Sequence, residues 1–445
     1  MKISLLSHNV AECTRERSND IFVNKINTDP VMHPFQRARE YTRALNSVKL
    51  DRLFAKPFVS SLAGHIDGVY ALAKHRSDLS LLLSGSGDGE IRAWNLTSKQ
   101  TIWKCFGHKS FVRGLAFVPG QLQGGNAFLS CSDDKTVKMW SISKPGEPLA
   151  TFDADFLLNS IDHKGGECNT FATAGGDSVQ IWDHSRSSPV QTLNWGADNV
   201  KHVRFNYTET DILASTSSDR SIVLYDLRMN SALSKVYLQM RSNAIAWNPM
   251  EPYYFTVANE DHNCYTFDMR NMSNACNVLK DHAGAVIDLD YSPAGNEIVT
   301  GSYDKSIRVF DVRSGHSRDI YHTKRMQHIF CVQYSMDSGY LLSGSDDGNI
   351  RLWKANASRK SGILSSRERT ALNYSDKLKD KFKHMPEIKR ISKHRHIPKM
   401  ISSISNTKRS MSASQKRKDE NERKHTKAPK PRVPERKKPI ITVQS

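Results

Sequence analysis

Apolar and polar residues alternate through much of this chain in short runs, such as EIRAW, TVKMW, SIVLY, SIRVF and NIRLW, and each run closes on a large aromatic residue. A period of two puts every second side chain on a buried face and predicts strands rather than helices. Each run is preceded by small residues and a turn. Ser84–Trp94 reads SGSGDGEIRAW, with close copies at Ser130–Trp140, Ser215–Tyr225, Thr256–Phe267, Thr300–Phe310 and Ser343–Trp353 and a weaker one ending at Trp182. The closing aromatics are Trp94, Trp140, Trp182, Tyr225, Phe267, Phe310 and Trp353, spaced 42–46 residues apart. That is the period of a four-stranded propeller blade, and seven copies predict an all-β, seven-bladed propeller. Six copies carry an Asp six residues before the aromatic (Asp88, Asp134, Asp219, Asp261, Asp304 and Asp347), where its side chain can bond the backbone of a tight turn.

Gly64-His65, Gly107-His108 and Asp281-His282 stand about 28–32 residues ahead of their blades' aromatics. With the Asp turns and the Ser/Thr–aromatic pairs, they make the chain resemble the WD-repeat family. The resemblance implies that the His bonds the turn Asp and that the Ser or Thr and the aromatic extend the network. The residues concerned are His65, Ser84, Asp88 and Trp94, then His108, Ser130, Asp134 and Trp140, then His282, Thr300, Asp304 and Phe310. A structural network and a catalytic His–Asp pair are the two readings of these residues. Outer-strand candidates follow the first six aromatics, whereas Trp353 is followed by KANASRKSG, which is no strand. Phe58–Ala63 is the natural donor for the last blade, and that closure leaves only short sheet edges.

The flanks change character. Between Arg37 and Phe54, Tyr41, Leu45, Val48 and Leu53 recur at roughly helical spacing, and Pro57 ends the pattern. Ser365–Glu368 reads as a capping box, and Ala371, Tyr374, Leu378, Phe382 and Met385 place a helix over about Arg367–His384, stopped at Pro386. Packing on the propeller and docking on a partner are both open for these helices. From about Ser402 onward Ser, Lys and Pro dominate without a period, predicting a tail disordered on its own. The expected layout is an N-terminal extension over 1–57, the propeller over 58–353, a basic helical module over 354–401 and a basic tail over 402–445.

Charge follows that layout. Residues 354–445 hold 27 Lys and Arg against 8 Asp and Glu, a net of +19, which leaves 37 against 38 in the first 353 residues. A neutral body with a polycationic arm suggests a polyanionic partner, RNA or DNA ahead of a membrane surface. Lys389, Arg390, Lys393, His394, Arg395, His396 and Lys399 are packed closely enough to follow a phosphate backbone, and cations so placed release counterions. A solvated tail or an import signal is the plainer alternative. No apolar run approaches the ~20 residues of a membrane span, and the first twenty residues are too charged for a signal peptide. The seven cysteines form no CxxC pair and suit a reduced compartment. His384, His394 and His396 have no Cys or carboxylate to complete a metal set, and no phosphate loop, HExxH or G-x-S-x-G appears, so neither a cofactor nor an enzyme is expected.

Three aromatics are followed by Asp-x-Arg: Asp226 with Arg228, Asp268 with Arg270 and Asp311 with Arg313. The triplet resembles one carried by WD-repeat proteins that dock on the adaptor of cullin-RING ubiquitin ligases. The pairs can equally cap their own blades. A closer resemblance rests on YTRALNSVKLDRLFAKPF (41–58), NEDHNCYTFDMR (259–270), YHTKRMQHI (321–329), LWKANAS (352–358) and IKRISKHRHIPK (388–399). These are similar to the Sof-type WD-repeat proteins, also described as damaged-DNA-binding-adaptor- and cullin-associated factors. That resemblance implies a nucleolar, non-catalytic component of the small-subunit processome, associated with the U3 snoRNP and pre-rRNA and needed for 18S rRNA maturation. It also implies a ligase substrate receptor as the alternative.

Overall fold

The computed structural model describes residues 31–119, 126–144, 146–166, 169–196, 198–229, 231–360, 362–427 and 433–444. What the sequence suggests for residues 1–30, and for Cys13 and Cys168, lies outside them. The chain divides into two compact units, one formed by residues 57–355 and 396–445 and the other by residues 1–56 and 356–395.

The larger unit is a seven-bladed propeller. Blade 1 runs Val69–Lys74, Leu81–Ser86, Glu90–Asn95 and Gln100–Phe106 from the axis outward. Blades 2 to 6 repeat this antiparallel order, and the inner strands of all seven blades contact one another in a closed ring. In blade 7 the outer strand is Phe58–Ala63, paired antiparallel with Asn349–Lys354 in the register Leu62↔Ile350 and Ser61↔Arg351. The ring is therefore shut by strands from opposite ends of the domain, which removes the open edges a linear stack would expose.

The alternating pattern explains the packing. The outward-going face of each blade meets the closing aromatic of the next: Leu83 and Ile91 of blade 1 pack with Trp140 of blade 2, and Leu129 and Val137 of blade 2 with Trp182 of blade 3. Trp94 closes the circle against Leu342, Ile350 and Leu352 of blade 7. Each such fully buried aromatic contributes roughly 1.5–3 kcal/mol. Cys131, Cys264 and Cys331 are buried thiols in these layers, pushed well above the ordinary thiol range by burial.

The turns between the second and third strands share one backbone solution. Gly89, Lys135, Gly176, Arg220, His262, Lys305 and Gly348 all have positive φ, from 52° to 81°. At Gly89 the requirement is twofold, since a Cβ would also sit 2.2 Å from the carbonyl oxygen of His108. Where a larger residue takes the position, the preceding Asp fastens the turn, as when Asp134 Oδ1 accepts from the Thr136 N–H at 3.0 Å.

The last strand of the chain corrects the expectation of a disordered tail. Lys399–His425 is a 27-residue helix, and Ile440–Gln444 adds a fifth strand to blade 4, antiparallel to Ser231–Leu238. No proline interrupts 399–425, and Ile401 buries itself at the helix start. Lys408 reaches toward the His282 carbonyl at 3.5 Å. Beyond the helix, Glu435 bonds both Lys280 and Lys416, and Ile440 packs on the blade 4–5 core. Composition hid this because the ordering contacts are far away in sequence.

The smaller unit joins the two flanks. We label its helices α1 (Gln36–Leu53), α2 (Ser366–Lys381) and α3 (Pro386–Lys393). The Ser365–Glu368 capping box starts α2, with both reciprocal bonds formed. Ala44 and Val48 of α1 bury against Leu378, Phe382 and Ile388. Tyr41 meets Phe382 edge-on at 5.8 Å and donates to Glu387 at 2.9 Å. Lys379–Asp51 (2.5 Å) and Lys381–Glu40 (2.6 Å) tie the rim. The narrow apolar stripes of the two flanks thus cover each other, so Gln36–Leu53 and the helices Ser366–Lys381 and Pro386–Lys393 share one core.

Candidate functional site

The His–Asp candidates are built into the blades. In blade 2 the Trp140 indole donates to Ser130 Oγ (2.9 Å), Ser130 lies 2.7 Å from His108 Nε2, and His108 Nδ1 lies 2.9 Å from Asp134. An indole only donates, so the Ser hydroxyl proton goes to Nε2, and the imidazole carries its proton on Nδ1, toward the carboxylate. Burial alone would raise Asp134, but its bonds from His108 and Thr136 outweigh that and hold it well below the usual carboxylate range. Blade 6 repeats the chain through Thr300, His282 and Asp304, at 2.7 and 3.0 Å; Phe310 contributes packing alone. The polar atoms of the relay are bonded to one another and to the adjoining turn, where the Lys109 and Thr136 N–H groups donate to Asp134, as a structural brace requires.

Blade 1 departs from the expected pairing. His65 bonds Ser84 (2.7 Å), and Ser84 accepts from Trp94 (2.8 Å), but the carboxylate at Nδ1 is Glu90, at 3.2 Å, not Asp88. Asp88 is exposed and caps the Asp67 N–H instead (3.2 Å). The Asp-Gly turn leaves Glu90 as the first residue of the returning strand, buried, with an extra methylene to reach His65, while Arg92 neutralises its other oxygen at 2.8 Å. Burial pushes His65 down to about 4 despite Glu90.

Blades without the His find other braces. In blade 7 Arg351 bonds Asp347 and Ser345, and Trp353 donates to Ser343 (3.0 Å). In blade 4 Lys235 pairs with Asp219 at 3.4 Å. In blade 5 Thr256 bonds Thr266 and the Tyr291 hydroxyl borrowed from blade 6. These substitutes were missed because they sit at non-equivalent repeat positions.

The basic candidates do not form one patch. On α3, Ile388 faces the helical core while Lys389, Arg390, Lys393 and the adjoining His394 are exposed, as 3.6-residue spacing dictates. Arg395 turns back on the carbonyls of Ser392 (2.6 Å) and His394 (3.0 Å). His396 and Lys399 belong to the propeller unit, where the His396 carbonyl meets His322 at 3.2 Å.

The Asp-x-Arg pairs also differ. Arg228 bonds Asp226 (3.1 and 3.2 Å) and Arg270 bonds Asp268 (3.0 and 2.8 Å), the latter guanidinium lying 4.3 Å over Tyr253. Arg313 and Asp311 make no such bridge, and both are exposed. A cavity of about 690 Å³ runs along the propeller axis, lined by inner-strand side chains that include Tyr70, Arg113, Lys201 and Phe330.

A closed ring of seven blades, with Ser/Thr–His–carboxylate relays in blades 1, 2 and 6, defines a WD-repeat β-propeller protein. The WD domain, G-beta repeat, matches at residues 56–95, 99–141, 273–311 and 315–354, and the Sof1-like domain matches at residues 355–440. The chain belongs to the Sof1-like family of WD-repeat proteins. It is 49% identical to Protein SOF1 of Saccharomyces cerevisiae, over 99% of this chain and 94% of the relative. It is also 49% identical to DDB1- and CUL4-associated factor 13 of Xenopus laevis and of Homo sapiens, over the full length of each pair. The WD40 β-propeller domain of Doa1 shares the fold at a TM-score of 0.58 and 16% identity, over 67% of this chain and 96% of that one.

Proposed function

We propose that this protein is a non-catalytic assembly factor of the nucleolar small-subunit processome, associated with the U3 snoRNP and needed to process pre-rRNA toward 18S rRNA. The propeller is a rigid ring on which other processome proteins dock, and the basic flank grips pre-ribosomal RNA. The observation that carries this reading is the full-length likeness to yeast SOF1, flanks included. The charge split supports it, since +19 lies beyond residue 353 on a chain otherwise close to neutral. Lys389, Arg390 and Lys393 project from a helix whose opposite side is spent on its own core, so they are free for phosphates.

The test reverses those three charges (Lys389→Glu, Arg390→Glu, Lys393→Glu) and leaves Ile388 and Ile391 in place. Co-sedimentation with pre-ribosomal particles should fall, 18S precursors should accumulate, and the salt slope for RNA binding should flatten by about two to three. Unchanged sedimentation with unchanged processing would overturn the reading.

A second reading, a substrate receptor of a cullin-RING ligase, draws on the names of the vertebrate relatives and on Arg313, which is exposed, makes no ion pair among the described residues and can reach a partner carboxylate. Changing Arg228, Arg270 and Arg313 to Ala should abolish adaptor pull-down while rRNA processing continues. Pull-down at the wild-type level would remove this reading.

A further inference from the structure

The inner strands all begin at the end of the ring that carries the Asp turns, as the registers Val69↔Ser86 and Val112↔Ser132 require. The second residue of each inner strand therefore rings one mouth of the axial cavity. Tyr70, Arg113, Lys201 and Phe330 occupy four of these places.

Three of them form a ladder. Phe330 stacks on Tyr70 with centroids 4.5 Å apart and planes at 12°, and Phe111 braces Tyr70 edge-on at 5.3 Å. The Arg113 guanidinium lies 5.5 Å over Tyr70 and 5.0 Å over Phe111. Asp133 holds that guanidinium by a fork of bonds at 3.0 and 2.8 Å. Arg113 remains 37% exposed, so a flat, cationic face ends the ladder.

Lys201 stands at the same level of the mouth and differs in one respect. Arg113 is paired with Asp133 and Arg241 with Glu260 (2.6 Å), but the Lys201 ammonium makes no ion pair or hydrogen bond among the described residues. It is half-buried, and burial together with the like charges of Arg241 and Arg113 opposes its protonated form more than Asp133 and Asp198 support it. A cation held there, with no counter-charge bonded to it, offers a pairing site to an anion from outside.

We propose that this mouth binds one or two unpaired nucleotides of an RNA strand, a base extending the Phe330–Tyr70–Arg113 ladder and its phosphate meeting Lys201. Aromatic and guanidinium planes take any base by stacking, and the flexibility of a single strand lets base and phosphate separate to reach both. A duplex cannot present its bases this way. An acidic peptide would satisfy Lys201 but leave the ladder unused. The proposal rests on the reading of this protein as an RNA-binding factor, but assigns contacts independent of α3.

The test uses the full chain and a single-stranded oligonucleotide carrying 2-aminopurine, whose fluorescence is quenched on stacking. Wild-type protein should quench it. Phe330→Leu should lose the quenching and weaken affinity roughly five- to a hundredfold. Lys201→Glu, with Lys201→Gln as the milder form, should weaken affinity and lower the salt slope by about 0.7. Thermal melts check that each variant folds. Wild-type quenching and affinity in both Lys201 variants and in Phe330→Leu would overturn the proposal. If the α3 charge reversal alone abolishes binding, the mouth is excluded and the flank stands. If only the mouth variants lose binding, the flank fails and the mouth stands. Saturable binding of a poly-glutamate peptide that needs Lys201, with RNA binding untouched by the mouth variants, would also overturn it, in favour of a protein ligand.

Discussion

Two carboxylates compete for His65 in blade 1, and exchanging each for alanine separates them. Glu90→Ala removes the acceptor for the His65 Nδ1–H and for Arg92, both largely buried. An orphaned buried donor costs about 1–3 kcal/mol, and breaking a buried pair from one side costs about 3–5 kcal/mol. Asp88→Ala loses one exposed bond to the Asp67 N–H and should cost about 0.5–1.5 kcal/mol. The predicted gap is therefore about 2–4 kcal/mol. Urea unfolding at pH 7.5, followed by tryptophan fluorescence, reads it as a difference in midpoint at constant slope. Glu90→Asp should fall between the two, because its carboxylate is one methylene short. If Asp88→Ala proved as damaging as Glu90→Ala, the assignment of the brace to Glu90 would be wrong.

Acid should weaken the ring before ordinary carboxylates titrate. His65 and His163 are each depressed by burial to about 4, below the ordinary 6.5. A lowered folded value means that the stability each imidazole contributes is complete above about pH 6.5 and lost as pH falls toward 4, up to roughly 3 kcal/mol apiece. Urea midpoints measured from pH 7.5 to 4.5 should drop across that window, and a flat profile would contradict it. Phe382→Ala should cost the helical unit about 3–5 kcal/mol. Limited proteolysis should then open within Gln36–Leu53, while amide protection in the ring strands is retained. Truncation before Ile440 should raise hydrogen exchange in Ser231–Leu238 and leave the inner strand Val200–Phe205 protected; equal exchange with and without the last strand would show that the fifth strand adds nothing.

What the linear chain carries is local and periodic. The 42–46-residue spacing of Trp94, Trp140 and their successors sets the number of blades, because each blade is one repeat of the same alternation. The capping box at Ser365 and the helical spacing of Leu378 and Phe382 are equally local, since they depend on neighbours within a turn or two. Tertiary structure decided the rest, wherever two distant groups compete for one place. Whether Glu90 or Asp88 faces His65 depends on how far the returning strand carries each carboxylate toward a loop more than twenty residues away. The flanking stripes cover each other because residues 36–53 and 366–393 meet in space, and the strand Ile440–Gln444 forms because Ile440 and Glu435 find blades 4 to 6. The Phe330–Tyr70–Arg113 ladder joins the last, first and second blades, so only closure of the ring brings its aromatic and charged faces together.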